Sequence, residues 1–229
     1  MLRKILFILV FSLSIGGLSA QNIVFKRVEQ PIQIDGEIDE AWNLANSAYN
    51  WVQYFPFDSS LAVNQSVAKV LFDDKNIYVL GILYSNNQDR KYVTPSLRRD
   101  FRGAANDNFT VIFDTFQDRT NAFTFGINPF GVRREGLVAN GGTGESSFSL
   151  DWDNVWKGEA KQYRGYWVAE MAIPLNSLRF NEGQKEWNIN FYRIDSESAE
   201  RSTWAPISRN FTLFNLAVLR VAQWEEPTK

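Results

Sequence analysis

Residues 67–85 read VAKVLFDDKNIYVLGILYS. Apolar side chains recur with period two through Val67–Asp73 and again through Ile77–Ser85. Asp73-Asp74-Lys75-Asn76 between them has the polar chemistry of a hairpin turn, so the stretch predicts two antiparallel strands with one buried face. Working outward, the same pattern returns at Asn108–Asp114 and Ala122–Asn128, separated by the polar Thr115–Asn121. It continues at Val132–Val138, Val155–Ala160, Gly165–Ile173, Trp187–Ile194 and Ala217–Trp224. Short strands with turn signals between them predict an all-β fold, an antiparallel β-sandwich. The 18 Phe, 8 Trp and 8 Tyr suit strands better than helices.

Two short helices are expected. Glu37–Asn46 follows the Asp35-Gly36 turn and places Ile38, Ala41, Trp42 and Ala45 on one face. Pro174–Leu178 starts at a residue suited to a first helical position. The loop Gly141-Gly142-Thr143-Gly144 lacks the Gly-Lys-Ser/Thr ending of a phosphate loop and reads as a connection within the sandwich. With no repeat, heptad or low-complexity linker, residues 21–229 read as one domain.

Met1–Ala20 has the parts of a secretory signal peptide: Arg3 and Lys4, the apolar Ile5–Leu13, and a small-residue end at Gly16, Gly17, Ser19 and Ala20. As a membrane anchor the run is too short and too interrupted. The expectation is export with cleavage after Ala20, to the periplasm, the outer-membrane surface or the medium. Cleavage takes the formal charge from −2 to −4, so neither nucleic acid nor an anionic membrane is an expected partner. The chain contains no His and no Cys. Imidazole acid–base chemistry, thiol nucleophiles, zinc-thiolate sites and disulfides are therefore excluded.

The remaining catalytic currency is carboxylate, and Asp100, Asp107, Asp114, Asp151, Asp153 and Glu170 are the candidates, without a motif that pairs two across a cleft. Glu170, inside the apolar Trp167–Ile173, is either a raised-pKa acid or half of a structural ion pair with an Arg such as Arg193. Asp151 and Asp153, together with Asn154 or with Asp107 and Asp114, offer oxygen ligands for calcium, or else lie in a solvated acidic loop. Trp42, Trp167 and Trp187 fit core positions; Trp51, Tyr54, Phe55 and Phe57 either pack or form an exposed aromatic surface for sugar. Arg98-Arg99-Asp100-Phe101-Arg102 is the densest basic run, a candidate for holding polyhydroxylated or anionic ligands.

Taken together, several segments resemble the family 9 carbohydrate-binding modules. They are Ile34–Trp42, Ala68–Asp73 with Ile77–Val79, Asp107–Asp114, Gly165–Pro174 and Trp187–Arg193, and they cover nearly all of the chain after the signal, in order. Phe116–Phe123, Asn128–Val132 and Ser177–Phe180 further resemble an uncharacterised family of large exported bacterial proteins. In that family a module of this kind precedes a strand-rich region like an outer-membrane β-barrel. The resemblance implies a β-sandwich, often with bound calcium, that binds polysaccharide or oligosaccharide non-catalytically between two Trp rings. By that resemblance, the first ring position is Ala104 and the second falls near Asn210 or Phe211. Gly126 stands where the family has the Arg of an Arg-x-Asn pair, Asn128 keeps its Asn, and Thr110 replaces a ligand-contacting Glu. The expected binding set is Arg98, Arg99, Asp100, Phe101, Thr110, Asn128 and Phe211, with Phe101 and Phe211 as replacement rings. The alternative is an envelope docking module that contacts an outer-membrane barrel protein and ignores sugar. An enzyme of glycan breakdown is the third class.

Overall fold

The molecule is a computed structural model that describes residues 21–92 and 94–228; the expected signal peptide lies outside them. Its strands are β1 (Ile23–Arg27), β2 (Ser47–Ala48), β3 (Val52–Phe55), β4 (Ser66–Phe72), β5 (Asn76–Tyr84), β6 (Asn108–Asp114), β7 (Ala122–Ile127), β8 (Arg133–Val138), β9 (Phe148–Ser149), β10 (Lys157–Tyr163), β11 (Tyr166–Pro174), β12 (Glu186–Asp195), β13 (Glu200–Thr203) and β14 (Arg220–Trp224). The hairpin read from residues 67–85 is β4–β5, in register from Ser66↔Leu83 to Phe72↔Ile77. Asp73 closes it by accepting the backbone N–H groups of Lys75 and Asn76, each at 2.7 Å, and the Tyr78 hydroxyl at 2.6 Å.

Two layers result. One sheet runs β10-β11-β5-β4, with β2 beside β4; the other runs β14-β12-β6-β7-β8-β9, with β13 and β3 flanking the second half of β12. β1 joins them, pairing in parallel with β14 through Ile23–Phe25 and with β4 through Lys26–Arg27. All other named pairs are antiparallel.

The inward residues of both sheets form one aromatic core. Phe25, Phe113, Phe180 and Trp224 surround Trp187 at centroid distances from 4.9 to 6.2 Å, mostly edge-on. Burying each such side chain stabilises the fold by about 1.5–3 kcal/mol. Trp51 belongs to this core, fully buried against Phe109 and Phe191, whereas Phe57 is 61% exposed. Two smaller apolar clusters cover the outer faces. One, with Trp42, Leu80 and Val168, lies beneath residues 28–46; the other, with Ile112, Tyr192 and Ile194, beneath residues 213–219.

The expected helices are absent as α-helices: only 3₁₀ turns form, at Glu40–Leu44 and Leu175–Ser177 among others. The first is held short because Glu170, on the outer face of β11, accepts from Asp35 N (3.2 Å), Gly36 N (2.9 Å) and Trp42 Nε1 (2.9 Å). Those three bonds fix the chain in a turn and leave Ile38 46% exposed, so the 3.6-residue stripe is never assembled. They also correct the proposed Glu170–Arg193 ion pair. Arg193 points into the sandwich and pairs with Asp195 at 2.8 Å. Strand edges shift too: Val155–Ala160 becomes Lys157–Tyr163, and Leu216–Val218 is a 3₁₀ turn before Arg220–Trp224.

Candidate functional site

The outer face of the β12-β6-β7-β8 sheet is built from cross-strand rows, whose directly paired members share a face. One row reads Thr203–Tyr192–Thr110–Gly126–Arg134 across β13, β12, β6, β7 and β8. Gly126 leaves a gap in it, and the Arg134 stem fills the gap: a Cβ at residue 126 would come within 3.0 Å of Arg134 Cγ. A second glycine, Gly103 in the Gly103–Ala105 turn, lets the guanidinium in, since a Cβ there would overlap Arg134 Nη1. The guanidinium carbon lies 5.5 Å from the Phe101 ring and 5.0 Å from the Phe148 ring. Arg134 is 6% exposed, yet its guanidinium has no hydrogen bond or ion pair among the described residues.

This group opens into a cleft of about 500 Å³. Tyr192 and Ile194 form its floor, and Phe214 and Phe148 a wall. The two wall rings stack at 4.4 Å and 3°, with Tyr192 edge-on to Phe214 at 5.7 Å. The wall is tied back by the Thr212 hydroxyl, which donates to the Gly142 carbonyl. Opposite lie Tyr54, whose hydroxyl donates to the Phe211 carbonyl at 2.8 Å, and Arg201, stacked 5.8 Å over Phe55. Apolar ring faces beside unspent donors are the chemistry that holds a small polyhydroxylated or anionic ligand.

The sequence-predicted residues divide sharply. Thr110 lies beneath the Arg134 stem, donating to Asn108 Oδ1 at 3.3 Å, and Phe101 lies behind the guanidinium at 3% exposure, so it is no exposed ring. Ala104, the first expected ring position, does line the cleft. Phe211 is 52% exposed and adjoins Thr212 of the wall. Asn128 is buried and spends its side chain on its own turn, accepting Phe130 N at 2.9 Å and Val132 N at 3.0 Å. Arg98 is exposed, and Arg99 crosses to the opposite face of β8, pairing with buried Glu135 and the Asn154 carbonyl. Asp100 faces the same carboxylate; burial, then repulsion from Glu135, raises its pKa.

The acids do not gather. Asp107 is held by Arg90 at 2.5 Å and by Ser196, Asp151 by Ser149, and Asp114 accepts from Asn188 and Arg119 N. Asp114 Oδ1 alone of this set is a buried oxygen without a partner. No group of three or more acidic side chains able to hold a metal occurs among the described residues.

Sequence reasoning missed Arg134, Tyr192, Phe148 and Phe214. A signal for Arg134 was present: glycine inside a strand, as at Gly126, marks a place where another group approaches closely.

The fold is thus a β-sandwich with a cleft of rings and arginines on one sheet face. The chain belongs to the carbohydrate family 9 binding domain-like family, whose model matches residues 34–210. Its fold is similar to a family 9 carbohydrate binding module from Caldicellulosiruptor kristjanssonii in complex with cellotriose, with TM-score 0.61 and 15% identity over 89% of this chain and 93% of that one. A glucose complex from the same organism gives TM-score 0.55 at 16% identity, over 90% of this chain and 96% of that one. A putative carbohydrate-binding protein from Bacteroides uniformis gives TM-score 0.69 at 12% identity, over 90% and 99%. Exoglucanase XynX of Acetivibrio thermocellus is 25% identical over 150 residues, 66% of this chain but only 12% of the relative's length.

Proposed function

We propose that this chain is an exported, non-catalytic carbohydrate-binding module that takes a saccharide in the cleft above Tyr192 and Arg134. The observation that carries this reading is the cleft's composition. A stacked Phe148–Phe214 pair stands beside a buried guanidinium with no protein partner, on the sheet face that Ala104 also lines. Family membership and the sugar-bound state of two structural relatives support it. The exoglucanase relative fits an accessory role, in which the module holds a glycan near an enzyme of its breakdown.

The test is binding of the purified protein to a glycan array, with and without calcium, followed by calorimetry on the hits. Saturable binding lost on Tyr192→Ala or Phe214→Ala supports the reading. A blank in both conditions overturns it in favour of an envelope docking module, for which the absence of Trp at the two expected ring positions would then be the explanation.

A further inference from the structure

Resting on that carbohydrate reading, we propose that the cleft selects acidic saccharides, and that Arg134 grips the sugar's carboxylate or sulfate. Arg134 is almost wholly buried, yet its five N–H donors meet no acceptor among the described residues. An oxyanion entering the cleft would meet these donors in a bidentate grip. The described residues lining the cleft include Arg134 and Arg201 and no carboxylate. Three other arginines that reach buried positions or buried acids are paired. The buried Arg90 and Arg193 are matched by Asp107 and Asp195, and Arg99 by Glu135. In a chain of net charge −2, two arginines thus line one cleft whose described lining holds no acid.

Geometry supports the same ligand. The Phe101 and Phe148 rings lie 5.5 and 5.0 Å from the guanidinium carbon, while Gly103 and Gly126 leave room for its head and stem. A planar fork suits the planar carboxylate of a uronic acid and also meets two oxygens of a sulfate ester. The Phe148–Phe214 stack lies alongside for the apolar face of the sugar ring.

The experiment compares, by calorimetry on the whole protein, oligogalacturonate, a sulfated galactan oligosaccharide and neutral cello-oligosaccharide of equal length. The expected result is at least about tenfold tighter binding of one acidic ligand than of the neutral one, weakening as salt rises. The galacturonate and sulfated arms decide which oxyanion is recognised. Arg134→Gln should collapse the acidic-to-neutral ratio toward one. Gly103→Ala, which keeps every charge but crowds the guanidinium head, should lower the ratio even if Arg134→Gln fails to fold. Equal or tighter neutral binding by the native protein overturns acidic selectivity while leaving the carbohydrate reading standing. Binding of none of these ligands, together with a blank array, overturns both.

Discussion

The carboxylate of Glu170 and the indole of Trp42, 128 residues apart in sequence, meet at 2.9 Å on the outer face of the β4-β5-β11 sheet, and both are fully buried. With the Asp35 and Gly36 amides, this bond pins residues 28–46 over the sheet and seals the cluster of Leu80, Val168 and Tyr78. Glu170→Gln keeps the volume but sets an NH₂ group against donors. A loss of about 2–3 kcal/mol is expected, because buried donors lose a charged acceptor. Urea denaturation measures it. Ligand affinity should stay within about twofold, since the cleft is on the other sheet; a native-like midpoint would show that the three bonds do not hold the cover.

Asp195 links acid stability to the far end of the sandwich. Burial pushes its pKa up, but the charges of Arg193 and Arg90 outweigh burial and hold it at about 2, against an ordinary 3.8. Because the folded value is depressed, the stabilisation is present above about pH 4 and is lost as pH falls toward 2. It amounts to about 2–3 kcal/mol. Asp195→Asn should therefore lower stability at neutral pH, since it leaves Arg193 less compensated, and flatten the loss between pH 4 and 2. An acid limb of unchanged slope would mean that other carboxylates set it.

The sandwich was legible because alternation is a local signal, and the β4–β5 turn carries its own closing residue, Asp73. The cover segments were not. Trp42 at the end of an amphipathic-looking run is placed by a carboxylate on β11, a partner no window of sequence contains. The site divides for the same reason. Ala104 and Thr110 could be positioned because the family resemblance runs through Asp107–Asp114, on or beside β6. Arg134 could not, because its role depends on which residue of β7 it faces. That register, Gly126↔Arg134, exists only once the strands have paired. Arg98 and Arg99 looked like a binding run by charge density alone, but charge density does not say that Arg99 will turn to Glu135 on the inner face.

Gly142 is the residue on which the cleft wall turns. Its φ of +69° lies in the left-handed region, and a Cβ there would overlap the Phe214 carbonyl. Gly142→Ala thus meets both backbone strain and a steric block, and a cost of about 1–3 kcal/mol is expected. Phe214 should be displaced from its stack on Phe148, so ligand binding should fall more than stability alone explains. Calorimetry at a temperature where the variant is fully folded separates the two effects; unchanged affinity there would mean that the wall is not part of the site.

Gly126 and Arg134 form a pair in which one residue's emptiness is the other's room. The family resemblance sets an arginine at position 126, and here the guanidinium comes instead from the facing residue of the next strand. If that exchange is compensatory, the two positions must be coupled. Gly126→Arg alone forces a Cβ to within 2.5 Å of Thr110 Oγ1 and 3.0 Å of Arg134 Cγ, so it should destabilise the protein. Arg134→Gly alone should empty the row and weaken binding. The double variant restores one arginine to one gap, with only the Thr110 hydroxyl left to rotate aside. A double-mutant cycle by urea denaturation should give a favourable coupling of about 1–2 kcal/mol. In calorimetry the double variant should regain part of the affinity lost by Arg134→Gly. Strict additivity in both measurements would mean that the stem merely covers Gly126, and that the arginine at 134 does not stand in for one at 126.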